Sequence, residues 1–190
     1  MKKGAAPARE VRVIGGQWKR TKLAVRDKPG LRPTPDRVRE TLFNWLGQDM
    51  GGRRCIDVFA GTGALGFEAA SRGAKHVLVV EQDPELVDLL RATKAKLQAD
   101  AVEVRRGNGL SVLASSQERF DVVFLDPPFD ANLWNKALQA ACDALAQDGA
   151  IYLEAPVEWT EEQLAPFRLA VERHLKAGAV HAHLLLRRAA

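Results

Sequence analysis

From residue 53 onward, short apolar and β-branched runs alternate with longer stretches in which apolar residues recur at helical spacing. The runs at 55–59, 76–81, 101–105, 121–126 and 150–154 each give way to a Gly, Asp or Pro turn and then to a helical stretch. This alternation predicts an α/β fold with a parallel sheet covered on both faces, because right-handed crossovers place a helix between successive parallel strands. The rhythm breaks at the end of the chain. Residues 167–175 and 180–188 are both strand-like with only 176–179 between them, which predicts an antiparallel hairpin at one sheet edge.

The front of the chain follows a different pattern. Residues 11–14 and 21–25 are short β-like runs around Gly15-Gly16-Gln17-Trp18-Lys19-Arg20, which reads as a β-hairpin with a basic, aromatic tip. Lys28-Pro29-Gly30-Leu31-Arg32-Pro33 then breaks regular structure. A helix is expected next, with Thr34 as N-cap, Pro35 at the first helical position, Asp36 near the positive end of the dipole and Gly47 as the stop. Val38, Leu42, Trp45 and Leu46 form its apolar face, with Arg37 and Arg39 off that stripe. Trp45 and Phe43 read as core.

Composition narrows the setting. A chain of 190 residues that is 46% hydrophobic and 27% charged is ordinary globular material for one domain with a small appendage. The expected division is a basic arm and hairpin over 1–30 and a larger domain over 31–190. No apolar run approaches the roughly 20 residues of a membrane span, and no apolar segment follows the lysines of the opening residues, so a cytoplasmic protein without a membrane partner is expected. Cys55 and Cys142 lack metal-ligand or disulfide spacing and read as buried thiols; no metal site is expected. The net charge of +4 is unevenly placed. Residues 1–54 hold 14 Lys and Arg against 5 Asp and Glu, and residues 55–190 hold 14 against 19, so +9 at the front offsets −5 in the rest. Such clustering fits a polyanion-binding surface, or a solubilising tail.

Two motifs carry chemistry. Asp57-Val58-Phe59-Ala60-Gly61-Thr62-Gly63-Ala64-Leu65-Gly66 runs from a strand through a glycine turn into a helix. Gly61 and Gly63 permit positive φ and close approach of a ligand, and the helix start offers unpaired N–H groups. Gly61, Gly63 and Gly66 also satisfy a dinucleotide pattern, with Glu81 about 20 residues on, so NAD is one ligand for this turn. S-adenosylmethionine is the other. It is a sulfonium cation with an ammonium group, for which the Asp57 carboxylate is a partner where a pyrophosphate would be repelled. Glu81 suits its ribose hydroxyls and Asn108 its adenine, although Asn-Gly is also a turn signal. Phe59 and Gln82 complete the cofactor set.

The second motif, Asp126-Pro127-Pro128-Phe129, stands at the carboxyl end of the fourth strand, where open α/β sheets bind ligands. The exocyclic amine of a nucleobase is a weak nucleophile because its lone pair is conjugated into the ring. Two acceptors, the Asp126 carboxylate and the Pro127 carbonyl, would draw it toward sp³ geometry and offset the charge that develops as a methyl group transfers. The prolines lack N–H groups and fix φ, which keeps that carbonyl free. Phe129 offers a stacking face for an extruded base. Adenine or cytosine in DNA, or a protein glutamine, are also planar amines that this motif could serve; a nucleotide-binding module without chemistry is the alternative of another class. The basic hairpin speaks against a protein substrate.

A sheet of this kind ending in an antiparallel hairpin is the Rossmann-like architecture of class I S-adenosylmethionine-dependent methyltransferases. Within that class, Val13-Ile14-Gly15-Gly16-Gln17-Trp18, the string Gly30-Leu31-Arg32-Pro33-Thr34-Pro35-Asp36-Arg37-Val38-Arg39-Glu40-Thr41-Leu42-Phe43-Asn44-Trp45-Leu46 and the two motifs closely resemble the RsmD family of bacterial 16S rRNA guanine-N2 methyltransferases. The resemblance implies S-adenosyl-L-methionine as cofactor and a guanine of 16S rRNA as target, within a partly assembled small ribosomal subunit, with the enzyme acting as a monomer. It implies that Arg12, Trp18, Lys19, Arg20 and Lys22 grip rRNA, and that Arg32, Thr34 and Arg37 line the entrance between cofactor and RNA. Two positions depart from the pattern. Phe129 stands where many amino-methyltransferases have Tyr, and Asn108 where an acidic residue is frequent.

Overall fold

The computed structural model describes residues 10–28, 31, 33–128 and 133–188. The front hairpin pairs β1 (Glu10–Arg12) with β2 (Lys22–Ala24), and α1 (Asp36–Trp45) follows. The expected alternation then appears as β3 (Arg54–Asp57), α2 (Ala64–Ser71), β4 (His76–Glu81), α3 (Pro84–Leu97), β5 (Val102–Arg106), α4 (Gly109–Ser115), β6 (Phe120–Leu125), α5 (Trp134–Ala144) and β7 (Leu145–Ala155). A short α6 (Glu161–Leu164) leads to the terminal hairpin of β8 (Leu169–Ala177) and β9 (Val180–Arg187). The main sheet has the order β5-β4-β3-β6-β7-β9-β8. β3, β4, β5, β6 and β7 run parallel, while β9 is antiparallel to both β7 and β8. The order reverses between β3 and β6, and a crevice opens at such a switch point outside the carboxyl ends of the strands.

Each face of the sheet has its own core. Cys55, Val77, Val79, Val122, Phe124 and Tyr152 face the hairpin, α1, α2 and Leu90 of α3. Ile56, Leu78, Val123, Ile151 and Leu185 face α4, α5 and the segment around Trp159. Both cysteines are buried free thiols, Phe43 is fully buried and Trp45 packs partly buried against the first core. β7 starts well before the expected residue 150. Leu145 already pairs with Phe120, and the register then shifts before the regular pairing from Ala150 to Leu153 begins.

Two expectations for α1 are corrected. Pro35, not Thr34, occupies the N-cap, without a side-chain cap, and the Thr34 hydroxyl turns inward to donate to Glu154 at 2.6 Å. Arg39, expected off the apolar stripe, is fully buried. Its guanidinium donates to the Thr34 carbonyl at 3.1 Å, to Glu68 at 3.3 Å and to Asp36 at 2.5 Å. The far end agrees with the sequence. Gly47 takes φ +91°, and the Gln48 N–H returns to the Phe43 carbonyl at 2.7 Å.

The hairpin is continuous with the body. Val11, Val13 and Leu23 are buried in the same core as α1 and α2. Glu68 of α2, itself fully buried, accepts from the backbone N–H groups of Ile14 and Gly15, both at 2.8 Å, and from Arg72 at 2.8 Å. At the tip, the Gln17 N–H donates to the Ser71 carbonyl at 2.8 Å and the Trp18 N–H to the Ser71 hydroxyl at 3.0 Å. Gly16 makes this approach possible. Its φ is +74°, and a Cβ there would sit 1.8 Å from the Ser71 carbonyl oxygen.

Glu68→Ala should therefore be strongly destabilising. It leaves Arg39 with Asp36 as its one remaining carboxylate among the described residues and two hairpin N–H groups without acceptors, a loss of about 3–5 kcal/mol by analogy with broken buried ion pairs. Denaturant unfolding of the two proteins checks this, and a change below about 1 kcal/mol would remove Glu68 from the centre of the network.

Candidate functional site

Four adjacent parallel strands end in, or run directly into, an acidic residue at the same edge of the sheet: Glu81 on β4, Asp57 on β3, Asp126 just after β6 and Glu154 near the end of β7. The register sets Asp57 beside Phe124 and Leu125 beside Leu153, so Asp126 and Glu154 are successive neighbours across the switch-point side of the sheet. Side chains alternate along a strand, so all four belong to the face that carries α1 and α2.

Asp57 is buried and accepts the Gly66 N–H at 3.0 Å. Burial pushes its carboxyl up to about 7, against the Gly66 hydrogen bond and with help from the charges of Glu81 and Glu154. Asp126 is raised well above the ordinary carboxylate range by burial, then by Glu154 and Asp57. Burial also raises Glu154, although the Thr34 hydroxyl opposes it. Among the described residues the buried Tyr152 hydroxyl makes no well-formed hydrogen bond, although it lies close enough to Glu154 for the two groups to shift each other. Together these groups form a row of carboxyls at the strand ends whose ionised forms lack a cationic partner among the described residues, which suits a cationic ligand and disfavours a diphosphate.

The glycine turn lies directly above. Gly61 and Gly63 both take positive φ, +54° and +76°, and Gly63 starts α2. Glu81 straps this turn to the end of β4. Its carboxylate accepts from Gly61 at 2.9 Å, Gln82 at 2.8 Å and Asp83 at 2.9 Å. Phe59 is half-buried and Gln82 exposed beside it. Asn108 is exposed and caps α4, its side-chain oxygen accepting from the Ser111 N–H at 3.1 Å, so the acceptor suited to an adenine amino group is already engaged.

The segment before α1 crosses this edge. Lys28 is tied to Asp83 at 2.6 Å and to Glu85 at 2.7 Å, a Cβ on Gly61 would lie 3.0 Å from the Leu31 side chain, and Thr34 is held by Glu154. From the end of β4 to the end of β7 is three strand spacings, about 14 Å, and the six residues from Lys28 to Thr34 reach about 20 Å when extended. Of the motif residues, Pro127 is buried and Pro128 exposed, while Phe129 lies outside the described residues. Arg32 lies outside them as well. Arg37 is exposed on the first turn of α1.

The basic residues of the hairpin are brought together, but away from the turn. Arg12, Lys19, Arg20 and Lys22 are all exposed, and Lys22 pairs with Glu10 at 2.7 Å. Trp18 is half-buried against the core, which leaves only part of its ring available for stacking. The tip docks at the C-terminal end of α2, one helix of 8 residues or about 12 Å from the glycine turn. Glu154, Tyr152 and Lys28 are the site residues that the sequence pattern did not single out. A signal for Glu154 was present: like Glu81, it closes an apolar strand with a carboxylate.

Known proteins match this chain along nearly its whole length. A family model described as "Conserved hypothetical protein 95" matches residues 11–185. The ribosomal RNA small subunit methyltransferase D of Escherichia coli (strain K12) is 41% identical over 182 residues, covering 95% of this chain and 91% of that protein. The protein of the same name from Haemophilus influenzae is 42% identical over 165 residues, covering 80% of this chain and 86% of its own length. Among solved structures, yhhF from Escherichia coli superposes with a TM-score of 0.83 at 41% identity, over 95% of this chain and 99% of that one. With a matched family model over most of its length and relatives of this identity and coverage, the chain belongs to the RsmD family of class I methyltransferases.

Proposed function

We propose that this protein transfers a methyl group from S-adenosylmethionine to the exocyclic N2 of a guanine in 16S rRNA. The observation that carries the reading is the position of Asp126-Pro127-Pro128 at the carboxyl end of β6, next to Asp57, Glu154 and the glycine turn. The names of the relatives supply the substrate: the Escherichia coli and Haemophilus influenzae proteins are small-subunit rRNA methyltransferases. The exposed cations of the hairpin fit a polyanion.

The residues present fit S-adenosylmethionine better than NAD. Asp57 can face its ammonium and Glu81 its ribose hydroxyls, and Gly61 and Gly63 supply the positive φ that bends the turn over the strand ends, whereas a pyrophosphate would meet four carboxylates. When bound, the cofactor supplies an electrophilic methyl group on a sulfonium centre. Asp126 and the Pro127 carbonyl accept the two N–H bonds of the guanine amine and orient its lone pair. As the amine takes the methyl group and the methyl–sulfur bond breaks to leave a neutral thioether, the Asp126 carboxylate would offset the positive charge growing on nitrogen and take one amine proton.

Asp126→Ala should lower the rate at least about 100-fold while cofactor binding largely survives, the scale expected when one charge-stabilising partner is deleted. Single-turnover methylation and calorimetry on the same preparation separate the two effects, and an active variant would overturn the assignment.

The raised carboxyls make cofactor binding pH-dependent. Burial holds the Asp57 carboxyl at about 7, so a ligand that brings its ammonium group to the ionised carboxylate binds together with proton loss. Affinity should rise as pH increases through about 7, by up to about tenfold per pH unit per proton released, and then level off. The ligand-free protein behaves in the opposite sense. Stability from a carboxyl with a raised pKa is complete below its unfolded value of 3.8 and is lost as pH rises through about 7. Asp57→Asn keeps an acceptor for Gly66 and should flatten both profiles. Cofactor titrations and thermal melts from pH 5 to 8 in roughly half-unit steps test this, and parallel profiles for the two proteins would count against it.

Neutralising Arg12, Lys19 and Arg20 should weaken RNA binding without changing cofactor affinity. For every phosphate that no longer meets a cation, the log–log salt dependence should flatten by roughly 0.7–0.9. Lys22 is excluded because Glu10 already offsets it. A salt series of rRNA-fragment binding constants for the native and triply neutralised proteins measures the slope, and equal slopes would place the RNA elsewhere.

A further inference from the structure

Three of the four histidines stack on the terminal hairpin, away from the methyl-transfer site. His174 of β8 lies between His181 and His183 of β9, with ring centroids 5.1 Å and 4.8 Å away and planes within 12° and 25°. His183 is fully buried and both its nitrogens are engaged: Nε2 accepts the Trp159 N–H at 3.1 Å, and Nδ1 faces the Leu153 carbonyl at 3.3 Å. It is therefore a neutral imidazole, and burial pushes its pKa down to about 4. It fixes the chain at Trp159, and with it the neighbouring Glu158.

The other two rings are free to ligate. His174 Nε2 and His181 Nδ1 are 2.9 Å apart, and the Glu158 carboxylate is 3.7 Å from His174 Nδ1. One ligand atom from each of Glu158, His174 and His181 falls within 4.8 Å of the others. We propose that these three residues form a surface site for a divalent transition-metal ion of the Zn²⁺, Co²⁺ or Ni²⁺ type.

The chemistry favours this class over Mg²⁺ or Ca²⁺, because two imidazoles and one carboxylate form a borderline-soft donor set. Two ligand nitrogens at metal–nitrogen distances of about 2.0–2.1 Å span about 2.9 Å at a right angle and about 3.3 Å at the tetrahedral angle. The hairpin needs to open by only a few tenths of an ångström, and the exposed Glu158 side chain can follow. Binding would replace the single proton that the two facing nitrogens can share. His183 plays the supporting part, holding the His174 ring and the Glu158 backbone in place. Waters would fill the remaining coordination positions. Such an ion would pin the edge hairpin to the segment after β7, on the face of the sheet opposite Glu154. The register pairs Leu153 with His183 and Glu154 with Ala182, so the two sites are separated by the sheet.

The full-length protein, stripped with a chelator, is titrated with Zn²⁺ alone and with Co²⁺ alone. One equivalent of either ion is expected to bind and to raise the melting temperature. His174→Ala and Glu158→Gln should each weaken binding at least about 10-fold, while His76→Ala on β4 should leave it unchanged. His181→Phe keeps a stacked ring without a ligand nitrogen, so it separates loss of the metal from loss of the hairpin. Its metal-free melting temperature should stay near that of the native protein, and its metal-induced rise should disappear. Co²⁺ spectra should show nitrogen and oxygen ligation without thiolate charge-transfer bands. Binding that survives in a His174→Ala, His181→Phe double variant, thiolate bands implicating Cys55 or Cys142, or an equal loss in His76→Ala would each overturn the site.

Discussion

The buried carboxylate of Glu68 is the constraint on which the front half of the molecule depends. It is fully buried, so its charge is tolerable only because Arg39, Arg72 and two backbone N–H groups surround it. Those partners come from the hairpin, from α1 and from α2 itself, and α2 is the helix that starts at the glycine turn. A single polar group thus ties the basic surface to the helix that faces the cofactor. The order continues outward. Arg39 holds the Thr34 carbonyl, and the Thr34 hydroxyl holds Glu154, so the position of a strand-end carboxylate is linked through three side chains to the hairpin.

The strand-end acids have the opposite electrostatic design. Glu68 is matched by cations, whereas Asp57 is held by one backbone N–H and Glu154 by a threonine hydroxyl. Burial raises Asp57, Asp126 and Glu154 above the ordinary carboxylate range, and for Asp57 and Asp126 the neighbouring acids add to it. That arrangement costs stability, and the cost is recovered when a cation arrives, because the charges are already desolvated and aimed. The acids sit on strands of the central sheet rather than on loops, which fixes their spacing to the sheet repeat of about 4.8 Å. Lys28, Leu31 and Thr34 tie the chain before α1 to these strand ends, at Asp83, over the turn and at Glu154.

The amino-acid pattern revealed the sheet, its parallel and antiparallel parts, the helix stop at Gly47 and both motifs, because these depend on local periodicity and on Gly and Pro chemistry. It concealed what depends on pairing across the sequence. Arg39 looks like a solvated flank of α1 until a carboxylate 29 residues away neutralises it. Thr34 looks like an N-cap until Glu154, 120 residues on, claims its hydroxyl. Trp18 looks like a stacking platform, yet Gly16 and Ser71 draw the tip so close to α2 that much of the ring is spent on packing. Val11, Val13 and Leu23 read as a hairpin's own apolar positions, and only the fold shows that they share one core with α1 and α2.

Distance then decides how the basic surface can serve the site. The hairpin tip stands about 12 Å along α2 from the glycine turn. In the proposed reaction, a phosphate held by Lys19 or Arg20 would belong to RNA flanking the target, while the base would meet Asp126 and the prolines at the end of β6. Separate contacts of this kind would divide the work: cations position a polyanion without reading it, and the strand ends act on the one amine that reaches them. The proton linkage sharpens the division. Burial beside Glu154 and Asp57 holds the Asp126 carboxyl well above its ordinary range, and a ligand carrying positive charge to the strand ends would favour the ionised form that can accept from an amine.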